Sequence, residues 1–471
     1  MFFQHIYDKS LAQGSYLVGC QKTGEAIVID PKRDVDTYLA IAEENGLRIT
    51  HITETHIHAD FLAGSRELAA LTGARLFLSD EGGPDWAYAF EHEGLKNGDV
   101  ISVGNLVLDV IHTPGHTPES ISFLLTDKPA SAQPVMLFTG DFVFVGDIGR
   151  PDLLEKAAGL IGTQELGAHQ MFQSIQTFSG LPDYLQVWPG HGAGSACGKA
   201  LGAVPSTTVG YEKIRNWALQ YEDDEEGFVH YLLTDQPEPP RYFAMMKKLN
   251  KVDRRLLTQV PSQKKLSPAE VKAALASGIK LIDTRDKAEV AGGFIPGSLT
   301  IQDNNAFSTW MGWFMSYEEP FMLLATDQQI EELTRKLMRI GLDNMYGYIE
   351  DVTTPGVDLV PARVIDQETF RSYLGRTDVQ VIDLRGASEY AAGHIEGAEN
   401  IFIGTLDKNL DKISRDKPVV IHCQGGDRAA IGYSILVRNG FDNVVNYSAG
   451  MNEWVAKGNP VLTGTAEAAV Y

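Results

Sequence analysis

Up to about residue 240, short apolar runs rich in β-branched residues alternate with polar stretches carrying Gly, Pro and His, the pattern of strands separated by loops. Ala26-Ile27-Val28-Ile29-Asp30, Leu106–Ile111 and Val135–Phe138 are expected strands, and Asp34–Asn45 and Ala63–Leu71 expected helices. The segment Gln236-Pro237-Glu238-Pro239-Pro240 breaks the pattern, and a charged stretch through Lys264-Lys265 follows it.

Beyond that point the chain repeats itself. Leu281-Ile282-Asp283-Thr284-Arg285 recurs as Val381-Ile382-Asp383-Leu384-Arg385, Glu289 matches Glu389, and Gly293-Phe294-Ile295-Pro296-Gly297 matches Gly393-His394-Ile395-Glu396-Gly397. Gly341-Leu342-Asp343-Asn344 likewise echoes Gly440-Phe441-Asp442-Asn443. Each copy alternates strand and helix, which implies a parallel sheet flanked by helices, with Thr353-Thr354-Pro355-Gly356 as the joint.

Composition adds bounds. A chain of 471 residues is too long for one core, and 44% hydrophobic with 22% charged residues is ordinary for a globular protein. A formal charge of −22 disfavours a phosphate backbone as partner, so no nucleic acid is expected. The acidic run Glu222–Glu226 reads as a solvated loop or helix end. No basic-then-apolar leader follows Met1, and no apolar stretch is long enough to cross a bilayer, so no membrane association is expected. Three scattered cysteines, Cys20, Cys197 and Cys423, suggest reduced thiols and a cytoplasmic location.

Four polar motifs carry candidate metal chemistry: Thr55-His56-Ile57-His58-Ala59-Asp60, Thr113-Pro114-Gly115-His116-Thr117, Phe138-Thr139-Gly140-Asp141 and Pro189-Gly190-His191-Gly192. Histidines and carboxylates at loop tips after strands are well placed to converge on one cation. In this order the motifs resemble the metallo-β-lactamase superfamily, which implies an αββα sandwich with its metal at one edge. Hydrolytic two-metal members usually carry a histidine where this chain has Phe61, which cannot ligate, so the resemblance shifts toward a mononuclear site. Carried over, the family motif implies His56, His116 and Asp141 as ligands, two imidazoles and one carboxylate suited to one non-haem Fe(II) per chain, although zinc accepts the same set. His58 is then expected beside the metal but off it, and Asp60 orients a ligand or bound water. His191 is a remnant of the second metal site or a supporting donor, and His112 is structural. Phe144–Asp152 resembles the persulfide dioxygenase branch, whose neighbours are glyoxalase II-type thioesterases. Arg150 either pairs with Asp152 within that loop or steers an anionic thiol. Cys197, in Gly194-Ser195-Ala196-Cys197-Gly198-Lys199, is a candidate for approaching the metal site and holding a persulfide, whereas Cys20 reads as core.

A second site follows the apolar run Pro418–His422. Cys423-Gln424-Gly425-Gly426-Asp427-Arg428 reads as a loop and Ala429–Asn439 as a helix, so Cys423 faces backbone N–H groups and a positive dipole end that stabilise anionic sulfur. The paired glycines let the amides point inward and Arg428 adds fixed charge. The motif resembles the rhodanese loop, with four residues between cysteine and arginine where cysteine-dependent phosphatases have five. Ala325 stands opposite Cys423 in the central copy, which therefore reads as a spacer or docking element.

The expected architecture is a multidomain α/β chain: a metallo-β-lactamase-fold dioxygenase domain at 1–240, a linker at 241–264, a cysteine-less rhodanese-like domain at 265–356 and a catalytic rhodanese domain at 357–471. The whole resembles bacterial persulfide dioxygenase–rhodanese fusions of sulfide detoxification. That resemblance implies a small thiol persulfide (of glutathione, coenzyme A, cysteine or similar) and O2 as substrates, sulfite or thiosulfate as products, and a homo-oligomer. The competing expectations are a zinc thioesterase with a rhodanese appendage and a non-enzymatic sulfur carrier or sensor.

Overall fold

Alternation within the apolar runs explains the two-layered core of the first unit. The computed structural model describes residues 1–158, 162–199, 201–221 and 223–464, so Glu222 of the acidic run lies outside the described residues, as does the end of the rhodanese region from 465. One sheet holds β1 (Phe2–Asp8), β2 (Gln13–Cys20), β3 (Glu25–Ile29), β4 (Arg48–Thr53), β5 (Arg75–Ser79) and β6 (Glu93–Leu95) in that order. The other holds β7 (Val100–Val103), β8 (Leu106–His112), β9 (Ile121–Asp127), β10 (Met136–Gly140), β11 (Gln186–Pro189) and β12 (Thr207–Thr208), also in sequence order. Val18 and Ile27 pack inward with Leu108, Phe123 and Phe138 between the sheets. Their neighbours Leu17 and Val28 point outward onto Tyr38 and Ala42 of the Asp36–Glu44 helix and Leu68 of the Ser65–Thr72 helix. On the opposite outer face Leu137 and Val187 meet Met171, Phe172 and Ile175 of the Thr163–Ser179 helix. The result is an αββα sandwich.

The first unit comprises Met1–Pro261 together with Arg335–Gly341. The expected linker at 241–264 is therefore corrected. Phe243–Lys251 is a helix with Phe243, Met246, Lys247 and Asn250 buried, and the stretch to Pro261 packs as part of this unit. Two polar side chains of this charged stretch, Lys247 and Asn250, are buried.

The second unit contains the sheets of both copies of the repeat, each four-stranded and parallel, while Arg335–Gly341 of the first copy belongs to the first unit. In the first copy β13 (Lys280–Asp283), β14 (Leu299–Thr300), β15 (Phe321–Leu324) and β16 (Met345–Ile349) lie in the order β14-β13-β15-β16. In the second, β17 (Gln380–Asp383), β18 (Ala398–Asn400), β19 (Val419–His422) and β20 (Val444–Tyr447) repeat that order as β18-β17-β19-β20. Ala325 follows β15 as Cys423 follows β19, so the matched positions are structurally equivalent. The helix after Cys423 begins at Asp427, which places Arg428 in its first turn, not in the preceding loop. Among the described residues no helix is long and apolar enough to cross a membrane.

Candidate active sites

Loops leaving the C-terminal ends of β4, β8 and β10 bring His56, His116 and Asp141 together at one edge of the sandwich, with their ligand atoms all within 4.8 Å of one another. Asp141 Oδ2 lies 3.8 Å from His56 Nε2 and 3.6 Å from His116 Nε2. Gly140 makes the turn that presents Asp141: its φ is +52°, and a Cβ there would stand 2.3 Å from Thr55 Oγ1.

Each imidazole is oriented through its other nitrogen. His116 Nδ1 donates to the carbonyl of Arg150 at 2.9 Å, and His56 Nδ1 bonds Thr55 Oγ1 at 3.0 Å. Thr55 Oγ1 donates in turn to Asp30 Oδ2 at 2.9 Å, so it receives the His56 N–H and leaves Nε2 as a lone pair. Burial first, and neighbouring positive groups next, push His56 well below the ordinary histidine range and His116 down to about 3. Burial raises Asp141 to about 6. His56 Nε2, His116 Nε2 and both Asp141 oxygens are buried without a hydrogen-bond partner. Two neutral imidazoles and a carboxylate orphaned around one point fit a divalent cation, which would satisfy all of them at once.

His58 turns its Nε2 to Asp30 at 3.1 Å and packs at a tilt against Phe61, with 4.3 Å between ring centroids. Burial opposes its charge, but Asp30, with Glu54 and Asp60 behind it, outweighs that and raises its pKa to about 9. Asp60, His191 and Cys197 form a second buried group beside the first. His191 Nε2 lies 3.2 Å from Asp60 Oδ2 and 3.5 Å from Asp141 Oδ1, while its Nδ1 bonds the carbonyl of Ala12 at 3.1 Å. Burial disfavours the His191 imidazolium, yet Asp141 and Asp60 together hold its pKa well above the ordinary value. Burial, then Asp141, pushes the Cys197 thiol up to about 12. Arg150 is fully buried, paired through Nε and Nη2 with Asp152 at 2.6 Å each and bonded to the carbonyl of Ala196. Its guanidinium is thus committed to the loop, and it meets the site through its backbone carbonyl. His112 bonds the carbonyl of Pro118, and Cys20 is core.

One residue that supports this site has no signal in the sequence. Asn250 donates to the carbonyls of His58 and Phe61 and accepts from Ala63 N–H, each at 2.9 Å, so the Phe243–Lys251 helix clamps the ligand loop. Asn250 lies in the charged stretch beyond the metal motifs, far from them in sequence.

In the second unit Cys423 Sγ is buried and accepts from Gly426 N–H at 3.1 Å. Gly426, at φ +97°, has no room for a side chain: a Cβ would lie 2.3 Å from the carbonyl of Ser448. Gln424 bonds Asn452, and Arg428 is held by both oxygens of Glu389, at 2.5 and 2.8 Å. Lys287, from the cysteine-less copy, donates to the carbonyl of Gly425 and to Asp427, and Asn304 reaches the other oxygen of Asp427. Lys287 stands where the cysteine-bearing copy has Ala387, a difference between matched positions that is visible in sequence.

Comparison with known proteins agrees with this geometry. A metallo-beta-lactamase superfamily model matches residues 11–191, and a rhodanese-like domain model matches residues 366–457. The chain is 45% identical to a metallo-beta-lactamase of known structure from Staphylococcus aureus subsp. aureus COL, with a TM-score of 0.67, covering 74% of this chain and 98% of that one. It therefore belongs to the metallo-beta-lactamase superfamily. More particularly, it joins a metallo-beta-lactamase domain to a C-terminal rhodanese-like domain and has persulfide dioxygenases among its relatives. The mitochondrial persulfide dioxygenase ETHE1 of Homo sapiens is 32% identical over 179 residues, which are 38% of this chain and 63% of that protein. Hydroxyacylglutathione hydrolase of Polaromonas sp. is 35% identical over 179 residues, 38% of this chain and 61% of that protein. The chain thus spans about three fifths of the length of these two relatives.

Proposed function

We propose that the first unit is a mononuclear Fe(II) persulfide dioxygenase and the second a sulfurtransferase acting through Cys423. The observation that carries this reading is the three-residue set His56, His116 and Asp141, with Phe61 in place of a further imidazole. Two neutral imidazoles and one carboxylate leave open positions on a single ion, and bound Fe(II) would supply the means of activating O2 beside a sulfur ligand. The His191 side chain supports a single ion, because its ring lies between Asp60 and Asp141 and occupies the gap between the two carboxylates.

The overall reaction balances as a thiol persulfide, O2 and water giving the free thiol, sulfite and two protons. The chain's own part is to hold both imidazoles as lone-pair donors through Thr55 and the carbonyl of Arg150, and to keep the site dry. At the second site the Gly426 N–H and the helix start favour anionic sulfur on Cys423. Attack of sulfite on the outer sulfur of a Cys423 persulfide would break the S–S bond, return the cysteine and release thiosulfate.

A second reading, a zinc thioester hydrolase with a rhodanese appendage, is favoured by the 35% identity to hydroxyacylglutathione hydrolase. Metal analysis, oxygen uptake on glutathione persulfide and hydrolysis of a glutathione thioester separate the two. The dioxygenase reading expects about one iron per chain and O2 uptake that survives Cys423→Ser, while that variant loses sulfur transfer on the order of 10³-fold or more. Zinc alone with thioester cleavage and no O2 uptake would replace it with the hydrolase.

A further inference from the structure

His191 and Asp60 stand 3.2 Å apart beside Asp141, and neither is among the three ligand candidates. What holds them at that distance lies outside the metal motifs. His191 Nδ1 donates to the carbonyl of Ala12 at 3.1 Å, and the same carbonyl accepts from Gly192 N–H at 3.0 Å. Ala12 presents it from a left-handed backbone, at φ +51°, which a residue with a Cβ keeps only where its surroundings impose it. Asp8, the last residue of β1, imposes it. Its Oδ1 accepts from Ser10 N–H, the Ser10 hydroxyl and Leu11 N–H at 2.8, 2.6 and 3.1 Å, and so folds the turn that delivers Ala12.

Asp60 sits on the other loop, two residues before Leu62. Leu62 N–H donates to the carbonyl of Arg339 at 2.7 Å. The side chain of Arg339 then reaches the first loop: its Nη1 lies 3.0 Å from Asp8 Oδ2, the oxygen not used by the turn, while its Nε and Nη2 donate to Asp34 at 3.0 and 2.6 Å. Lys32 approaches the same Asp8 oxygen only at 3.7 Å. Arg339, Asp8 and Asp34 are all buried, so these contacts are charge-assisted and shielded, and the planar guanidinium fixes direction as well as distance. Arg339 belongs to Arg335–Gly341, the short segment of the first repeat copy that is part of the first unit. Asn250 holds the carbonyls of His58 and Phe61 within one loop, whereas Arg339 joins that loop to the other.

Both members of the Asp60–His191 pair therefore depend on one residue. Asp60 is reached through Leu62 N–H and the Arg339 carbonyl, and His191 through Ala12, the Asp8 turn and the Arg339 guanidinium. We infer that Arg339 is a positioning residue of the metal site, which sets the spacing of Asp60 and His191 and, through His191 Nε2 at 3.5 Å from Asp141 Oδ1, the placing of that carboxylate. The inference rests on a metal held by His56, His116 and Asp141, but not on the reaction proposed there.

The test is Co(II) binding to the full-length protein, followed by visible absorption and by competition with a chelator, at a temperature where every variant is folded. Arg339→Met removes both carboxylate contacts. Asp8→Asn keeps an amide oxygen for the turn and removes the carboxylate that faces Arg339, and Asp34→Asn weakens the grip on Arg339 with Asp8 left in place. Tm is expected to fall in all three, because each breaks a buried ion pair. Co(II) affinity should fall about tenfold in Arg339→Met and about threefold or more in Asp8→Asn, with an altered absorption spectrum in both. In Asp34→Asn the affinity should stay within about twofold and the spectrum unchanged. If Arg339→Met does not fold, Asp8→Asn against Asp34→Asn decides. The inference is overturned if Asp8→Asn binds Co(II) as the natural chain does, or if affinity falls in step with Tm in Asp34→Asn as well, which would make Arg339 a structural charge and nothing more. A natural chain that binds no Co(II) would overturn the metal site and this inference with it. Oxygen uptake plays no part in the test, so loss of the dioxygenase reading alone leaves this one standing.

Discussion

Thr55 fixes the tautomer of His56. Its hydroxyl donates to Asp30 at 2.9 Å and therefore receives the Nδ1–H of His56 at 3.0 Å, leaving the opposite nitrogen as the lone pair that faces His116 and Asp141. Asp30 holds this relay while also accepting from Thr55 N–H at 2.7 Å, and it does so from a left-handed backbone conformation at φ +52°.

Thr55→Val keeps the shape and removes the hydroxyl. Metal affinity, measured by competition with a chelator, should fall about 10–100-fold because the ligand loses its orienting bond. Asp30 Oδ2 loses a buried donor, so stability should fall by about 1–3 kcal/mol in denaturant titration. Unchanged metal affinity would remove Thr55 from the site.

Much of the architecture was legible because the ligand motifs are contiguous and sit at strand ends. β3, β8 and β10 lie within two residues of the expected strands, and the repeat announced a parallel sheet in each copy, which the structure gives the same strand order. What escaped sequence was contributed by distant segments. Asn250 reaches His58 across 192 positions, from a helix whose Lys and Asn residues gave no hint of burial. Arg150 illustrates a different difficulty: its sequence context left a pair with Asp152 and a contact with a substrate anion both open, and the guanidinium is bonded to Asp152 while its backbone carbonyl orients His116. Arg428, likewise, is paired with Glu389, whose recurrence as Glu289 marked it in the repeat without revealing its partner.

Phe61→His would place an imidazole directly after Asp60, against the His58 ring that Phe61 now touches. With zinc supplied, the metal content should rise from one ion per chain toward two, as read by elemental analysis. Without metal, a polar ring in a position that is 0% exposed should cost about 1–3 kcal/mol, so the variant's Tm should become more dependent on chelator than that of the natural chain. A stoichiometry that stays at one would mean that His191 itself keeps the second ion out.

Acid sensitivity of the first unit should centre on Glu67, which is buried between Arg33 and Arg254. Burial alone would raise its pKa, but Arg254 and then Arg33 outweigh it and hold the carboxyl below its usual range. The unfolded chain, with a glutamate pKa of about 4.3, therefore takes up the proton first as pH falls. The stabilisation is complete above that value and is lost as pH drops through the lower folded value. Thermal unfolding between about pH 5 and 3 should show a falling Tm in the natural chain. Glu67→Gln should show a shallower fall from a starting point about 3–5 kcal/mol less stable, since both arginines lose their buried partner.

Lys287 gives the cysteine-less copy a measurable task. Its ammonium ties the carbonyl of Gly425 and the carboxylate of Asp427, the two residues flanking Gly426, whose N–H faces Cys423 Sγ. Without that tie the loop keeps its glycines but loses an anchor from outside its own sheet. Lys287→Met should therefore slow sulfur transfer by Cys423 about 3–30-fold, mainly in kcat, because the N–H group must be in place when charge develops on sulfur. The global cost should be about 1 kcal/mol or less, since the pair is partly exposed to solvent. Oxygen uptake at the first site should not change. A variant with normal transfer kinetics would return the central copy to the role of a spacer, whereas transfer lost together with oxygen uptake would show general misfolding and no specific support of the loop.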